Sequence, residues 1–473
     1  MTIVNRPNRF APALLVVLSA AASACIEDSP GVRADDANPD GSVSPGSDAG
    51  DGRDRDGAVA SSCAPATGPG TTHDSVTADE TWTAAGSPHI VARSLAIAAG
   101  RTVTIEPCAV VRMNEDVSIL VEGKLLAIGA ADQRIRIGRG DDGAPWRTIE
   151  ARRGAEIRFA FVTLEGGGAP GNEPLTRVGA LDIRGDQESA PQPVFFADHV
   201  TVRNSASLGI LVREGGAFAP GSQALTVTGG ASFPISIWGR AAGTLPPGAY
   251  TANAIDEIIL PAMGGRDDIK EDTTLAARGV PYRIGGPSGG KSLTIAAAGV
   301  PRLTIEPGVK LRFEKDARLL VDSSGSTPLG ALVARGTADK PIVFESAAAT
   351  PAAGDWVGIV IEGTPDPRTA IAHAKITHAG GASQISSYGC PSPGAPSFGN
   401  EAAILIIGGE APTTGFVTNT IVEQSAGEGI VRGWTGDPVD FLATNTFTGI
   451  ARCNQTFPKP AASVCPNPAP CPK

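Results

Sequence analysis

The residues with chemistry to offer are two carboxylate pairs, a serine among glycines, two closely spaced histidines and seven cysteines. Asp256-Glu257 and Asp267-Asp268, followed by Glu271 and Asp272, are the densest acids outside the N-terminal region. Paired carboxylates could act as general acid and base on a glycosidic bond, or hold Ca2+ against a polyuronate. Arg266 and Lys270 share their Gly-rich stretch, and a mixed-charge cluster there reads as a solvated turn, so no cofactor is expected and calcium is the single metal worth testing. Gly286-Pro287-Ser288-Gly289-Gly290 fits the G-x-S-x-G spacing of a hydrolase nucleophile, but Pro precedes the Ser and no helix follows, which makes it a turn. Gly166-Gly167-Gly168-Ala169-Pro170-Gly171 fits G-x-G-x-x-G and likewise lacks the helix that would give it an anion site. His373 and His378, five apart, would fall on opposite faces of a strand and are poor partners for one metal ion. No catalytic residue is assigned.

The cysteines stand at 25, 63, 108, 390, 453, 465 and 471, with no C-x-x-C pair and no neighbouring His, which argues for disulfides over a metal site. Setting Cys25 aside leaves an even six, as an oxidising compartment favours. Cys63 precedes the first β-like block and Cys108 lies just inside it, so a bridge between them would pin the incoming chain. Cys390 and Cys453 bracket the last blocks, and Cys465 to Cys471 would close a small Pro-stiffened clip. Six cysteines allow fifteen pairings, and these remain preferences among them.

Arg6 and Arg9 precede an apolar run over 10–24, the pattern of an export signal and too short to span a bilayer as a helix. The run ends Ala22-Ser23-Ala24-Cys25, which resembles a bacterial lipoprotein signal. That resemblance implies lipidation at Cys25 and attachment to a membrane. Ile26 in place of a retention Asp points by the same resemblance to the outer membrane or cell surface, while Ala22-Ser23-Ala24 also suits ordinary secretory cleavage. From 25 to 75 the chain is rich in Asp, Gly, Ser and Pro and reads as a disordered acidic tether. The whole chain has 39 Lys plus Arg against 49 Asp plus Glu, net −10, and no basic tract that could follow a phosphate backbone. A nucleic-acid partner is therefore not expected.

Beyond the tether, Gly and Pro are frequent enough (59 and 39 of 473) to interrupt nearly every candidate helix. The chain also repeats itself. Val103-Thr104-Ile105-Glu106-Pro107-Cys108 returns as Leu303-Thr304-Ile305-Glu306-Pro307-Gly308, and Gly86-Ser87-Pro88-His89 returns as Gly279-Val280-Pro281-Tyr282. Trp146 matches Trp356, Ala160-Phe161-Val162-Thr163 is aligned with Ala374-Lys375-Ile376-Thr377, and the block from Arg203 to Ile210 returns from Glu423 to Ile430. Insertions fall in Gly, Pro and Ser stretches while the blocks keep register, as expected of stacked rungs. Within a block the pattern alternates: Val309, Leu311 and Phe313 on one side, Lys310 and Arg312 on the other. Short strands without hairpin signals favour a coil of parallel strands, each lying on its counterpart one turn later. Trp146, Trp356, Trp238 and Trp434 read as packing residues of these repeats.

The L-T-I-E-P-G block, Leu332 to Phe344, Trp356-Val357-Gly358-Ile359, Ile376-Thr377-His378-Ala379-Gly380-Gly381 and Ser425 to Ile430 together resemble the bacterial right-handed parallel β-helix repeats related to pectate lyases. The resemblance implies an all-β solenoid in two homologous halves, with His378 in the wall or core. The divisions expected are a signal at 1–24, tether at 25–75, first half at 76–240, junction at 241–272, second half at 273–455 and a Cys/Pro-rich cap at 456–473. At roughly 20–25 residues per turn this gives about 15–19 turns. The expected function is a non-catalytic surface or envelope binding protein, with polysaccharide or another cell surface as partner. The alternative by fold analogy is a polysaccharide lyase or glycoside hydrolase.

Overall fold

A computed structural model describes residues 61–174, 177–186, 191–286, 290–385, 390, 392–394, 400–408, 410–436, 438–460, 464–465 and 470–472. The signal segment, Cys25, the tether to residue 60 and Ser288 lie outside the described residues. The described residues belong to one compact unit.

Strands are three to six residues long for the most part, and every pairing between named strands but one is parallel. The exception is a small hairpin, Ser323–Ser324 with Thr327–Pro328, inside the insertion that distinguishes the second half. The strands form a parallel β-helix: three faces are visited in turn, and each strand bonds to the strand one turn before and one turn after. In the first half these faces are a six-stranded sheet, an eight-stranded sheet and part of a long thirteen-stranded sheet; in the second they are two five-stranded sheets and the rest of the long one. Thirteen strands in the longest sheet is fewer than the turn count expected from length. The shortfall has a plain cause: one turn advances the chain from Thr102 to Lys124, but another, which carries residues 166–178, advances it from Glu156 to Val194.

Alternation places every second side chain inside. Along the long sheet Ile119, Ile149, Leu181, Ile210, Ile235, Ile258, Tyr282, Leu311, Phe344, Ile376 and Val422 occupy successive register positions and are buried. Identical or similar β-branched and aromatic groups thus stack at the strand spacing of about 4.8 Å, and apolar burial is shared between neighbouring rungs. Trp146 and Trp356, both fully buried, close equivalent corners by donating Nε1–H to the carbonyls of Glu165 (2.9 Å) and Thr377 (2.8 Å). Gly167 is dictated by the first: a Cβ there would lie 2.5 Å from the Trp146 ring. The accepting carbonyls are 212 residues apart, as are the left-handed residues Phe161 (φ 51°) and His373 (φ 48°) that precede the strands, so Ala374 corresponds to Val162 and not, as aligned in sequence, to Ala160.

His373 (φ 48°) and His378 (φ 61°) bracket the strand Ala374–Thr377 at its two turns. His378 is half-buried at a corner of the wall, not in the core, which narrows the expectation of wall or core to the first. The solenoid also begins earlier than expected: Thr71–His73, inside the stretch read as tether, is a strand bonded to His89–Val91. Its two Thr residues suit a strand, and only composition upstream of it resembles a linker.

The homologous blocks do not occupy homologous sheets. Val110–Met113 lies in the eight-stranded sheet, whereas its copy Lys310–Phe313 lies in the long one; Ser118–Val121 lies in the long sheet, whereas Arg318–Val321 lies in a five-stranded one. The copies are therefore turned by one face. The change occurs where two short 3-10 helices, Gly239–Thr244 and Gly264–Arg266, replace strands, and the long sheet runs through it unbroken as Ile235–Ile237, Ile258–Leu260 and Tyr282–Ile284.

Three disulfides join Cys63 to Cys108, Cys390 to Cys465 and Cys453 to Cys471. The first fastens the incoming chain to an early turn. The other two correct the expected Cys465–Cys471 clip: each sulfur reaches back to the last rungs, so the C-terminal segment is stapled across the end of the stack at two points.

Candidate functional site

The outward side chains of the long sheet form one column across the junction: Glu150, Asp182, Leu211, Ser236, Ile259, Arg283, Arg312 and Glu345. Its ends are charged and its middle is largely apolar. At one end Arg213 grips Asp182 through Nε (3.2 Å) and Nη2 (2.6 Å). Burial pushes the Asp182 carboxyl up and Arg213 pulls it back; with two-point contact the ion pair is the form that fits. At the other end the buried Glu257 bonds Arg283 (2.8 Å) and Arg312, which turn also to Glu314 (2.7 Å) and Glu345 (3.5 Å).

Between the two ends lies a groove of about 400 Å³. Leu211 and Ile259 form its floor with Ser236 between them, and one edge of Trp238 reaches it. Arg177, from the excursion over residues 166–178, and Arg266, from the second 3-10 helix, stand exposed at its margins. Neither has an ion-pair partner among the described residues. Glu173 and Glu214 also line it, but these are committed to Arg147 (2.7 Å) and Arg184 (3.0 Å).

The expected acidic site is dispersed. Asp256 accepts the N–H groups of Ala252 (3.0 Å) and Asn253 (2.8 Å) and closes a turn. Glu257 sits in the ion-pair ladder. Asp272 bonds Arg302 through both backbone N–H (2.8 Å) and Nη2 (3.0 Å). Asp267 is 2 % exposed with neither oxygen hydrogen-bonded; burial, only partly offset by nearby backbone N–H groups of Arg240, Gly239 and Met263, pushes its carboxyl up to about 8. Asp268 is raised as well, again by burial. Glu257 and Asp267 thus correct the solvated-turn reading, since both are buried where the chain changes face. Among the described residues no three His, Cys, Asp or Glu side chains meet as a metal site would require.

Sequence reasoning did not single out Arg177, Trp238 and Arg266 as a group. They are remote from one another along the chain, and only the register of the junction rungs brings them to one groove. The Gly166 motif is a loop between Val162–Glu165 and Gly179–Arg184, and it carries the segment from which Arg177 projects.

No curated protein and no solved structure matches the chain. Residues 268–389, in the second half of the coil, match the family model of the pectate-lyase like β-helix domain.

Proposed function

We propose that this is a non-catalytic binding protein of the cell surface or envelope, held to the membrane by a lipid on Cys25, whose junction groove takes an acidic glycan. The observation that carries the reading is the groove itself: an apolar floor beside an aromatic edge, flanked by Arg177 and Arg266, on a chain whose net charge is −10. Arg guanidinium groups suit carboxylate or sulfate, and an apolar floor of Leu211 and Ile259 suits the C–H faces of sugar rings. The carboxylates on either side are tied to arginines, and catalysis at a glycosidic bond would need an acid and a base free to exchange protons. Three disulfides consume six of the seven cysteines, which leaves Cys25 as the odd one and supports the lipid reading. Among the described residues no helix is long and apolar enough to cross a membrane.

A glycan array probed with the full chain, then product analysis on each glycan retained, tests the groove. Binding without cleavage is expected, weakened at least tenfold in Arg177→Ala/Arg266→Ala. Cleaved products would replace this reading with a lyase or hydrolase, and equal binding by the variant would remove the groove. Palmitate labelling should be lost in Cys25→Ala; undiminished labelling would refute the anchor.

A further inference from the structure

The first rung of the coil holds a half-buried chain of four polar contacts. His89 Nε2 lies 2.8 Å from Thr83 O, His89 Nδ1 lies 2.9 Å from His73 Nε2, and His73 Nδ1 lies 3.2 Å from Glu80 Oε2, which also accepts Trp82 Nε1–H at 2.9 Å. The His73 ring packs on Trp82 with centroids 4.3 Å apart, and His89 is 3 % exposed. The second half supports the ring orientation: Tyr282, the counterpart of His89, donates its hydroxyl to Ala276 O at 2.7 Å, in the same place. The strand register likewise makes Leu260 the counterpart of His73.

We propose that His73, His89 and Glu80 form a proton-dependent latch that holds the strand Thr71–His73 on the stack and releases it in acid. Thr83 O requires a proton on His89 Nε2, Glu80 requires one on His73 Nδ1, and the contact between the rings requires one more. Three protons on the two rings satisfy every contact, with Glu80 balancing the single positive charge. Two protons leave a lone pair facing an acceptor; four set N–H against N–H and force the rings apart. The latch therefore fails when the fourth proton arrives.

Burial, and next the neighbouring His89, hold His73 below the ordinary histidine value, against the pull of Glu80. A depressed value in the folded state means that the stabilisation is present above about pH 6.5 and is lost as pH falls through the folded value. Of the other charged groups of these rungs Arg101 is exposed, and the rest pair elsewhere: Asp74 with Arg93 (3.1 Å), Asp79 with the Thr102 N–H (3.0 Å), Glu106 with the Ala84 N–H (3.4 Å) and Arg112 with Asp141 (2.5 Å). Release would bare the edge of His89–Val91, while the Cys63–Cys108 bridge keeps the freed segment attached for return.

Hydrogen exchange on the full chain, corrected for the intrinsic rate at each pH, reads the latch. Protection of residues 71–73 and 89–91 should fall at least tenfold from pH 7 to pH 5, while His73→Leu/His89→Tyr, which installs the residues of the second half, should show no such fall. Unchanged protection in the wild type, or an equal fall in the double variant, would overturn the proposal. Imidazole 15N spectra of the wild type give a reading independent of any variant: three ring N–H protons shared by the pair at pH 7 support it, and two rings titrating independently near pH 6.5 refute it.

Discussion

Asp267 is the residue whose environment departs furthest from its appearance in the sequence. Its carboxyl is buried with neither oxygen bonded, and its folded value of about 8 lies far above an unfolded aspartate near 3.9. A raised value means that the folded chain retains a proton which the unfolded chain gives up, so the contribution of this group to stability is fullest below about pH 4 and drains away as pH rises towards 8. Asp267→Asn should therefore raise the unfolding free energy from urea denaturation at pH 8 by on the order of 1–3 kcal/mol and change it little at pH 4. Glu257 is the opposite case. It is buried but clasped by Arg283 and Arg312, and Glu257→Ala would leave Arg283 with Glu314 and Arg312 with Glu345 as their remaining partners, at a cost of about 1–3 kcal/mol in the same measurement.

At the scale of the strand, the inward columns predict the effect of truncation. Ile235→Ala removes a methyl-bearing branch from a row in which Ile210 and Ile258 lie directly on either side, and denaturation should show a loss of about 2–5 kcal/mol. These columns were readable in advance because alternation is local: Val309, Leu311 and Phe313 announce their side of the strand within five residues. Other features depend on pairings far apart in sequence. Cys465 and Cys471 look like a clip because they are neighbours, yet each finds a sulfur brought near by the winding of the last turns. The turn of one face between the copies is invisible in the alignment, since a repeat offset says which blocks are alike and nothing about which sheet receives them. Arg177, Trp238 and Arg266 were missed for the same reason. The acids at 256–272 were noticed as a cluster, but their burial follows from the change of face and not from their spacing.

For the molecule as a whole, the two ends are the points of weakness, because a stack of parallel strands leaves bonding groups unpaired at its limits. At the C-terminal limit the strand Glu428–Gly433 is covered by a bridge from Gln455 to Ile430, with a second from Lys459 to Thr435 just past its end, and that cover is stapled by Cys390–Cys465 and Cys453–Cys471. A chain ending at residue 454 should elute from size exclusion as larger species than the full chain, through edge pairing of the uncovered strand. The turn of one face between the copies has a further result. Duplication ordinarily yields two like surfaces side by side, which a long or flat partner could engage at once. Here the second copy has been rotated away, so whatever recognises the outside of one copy meets a different landscape when it continues straight ahead, and the doubled gene has produced a protein with two directions in place of one doubled grip.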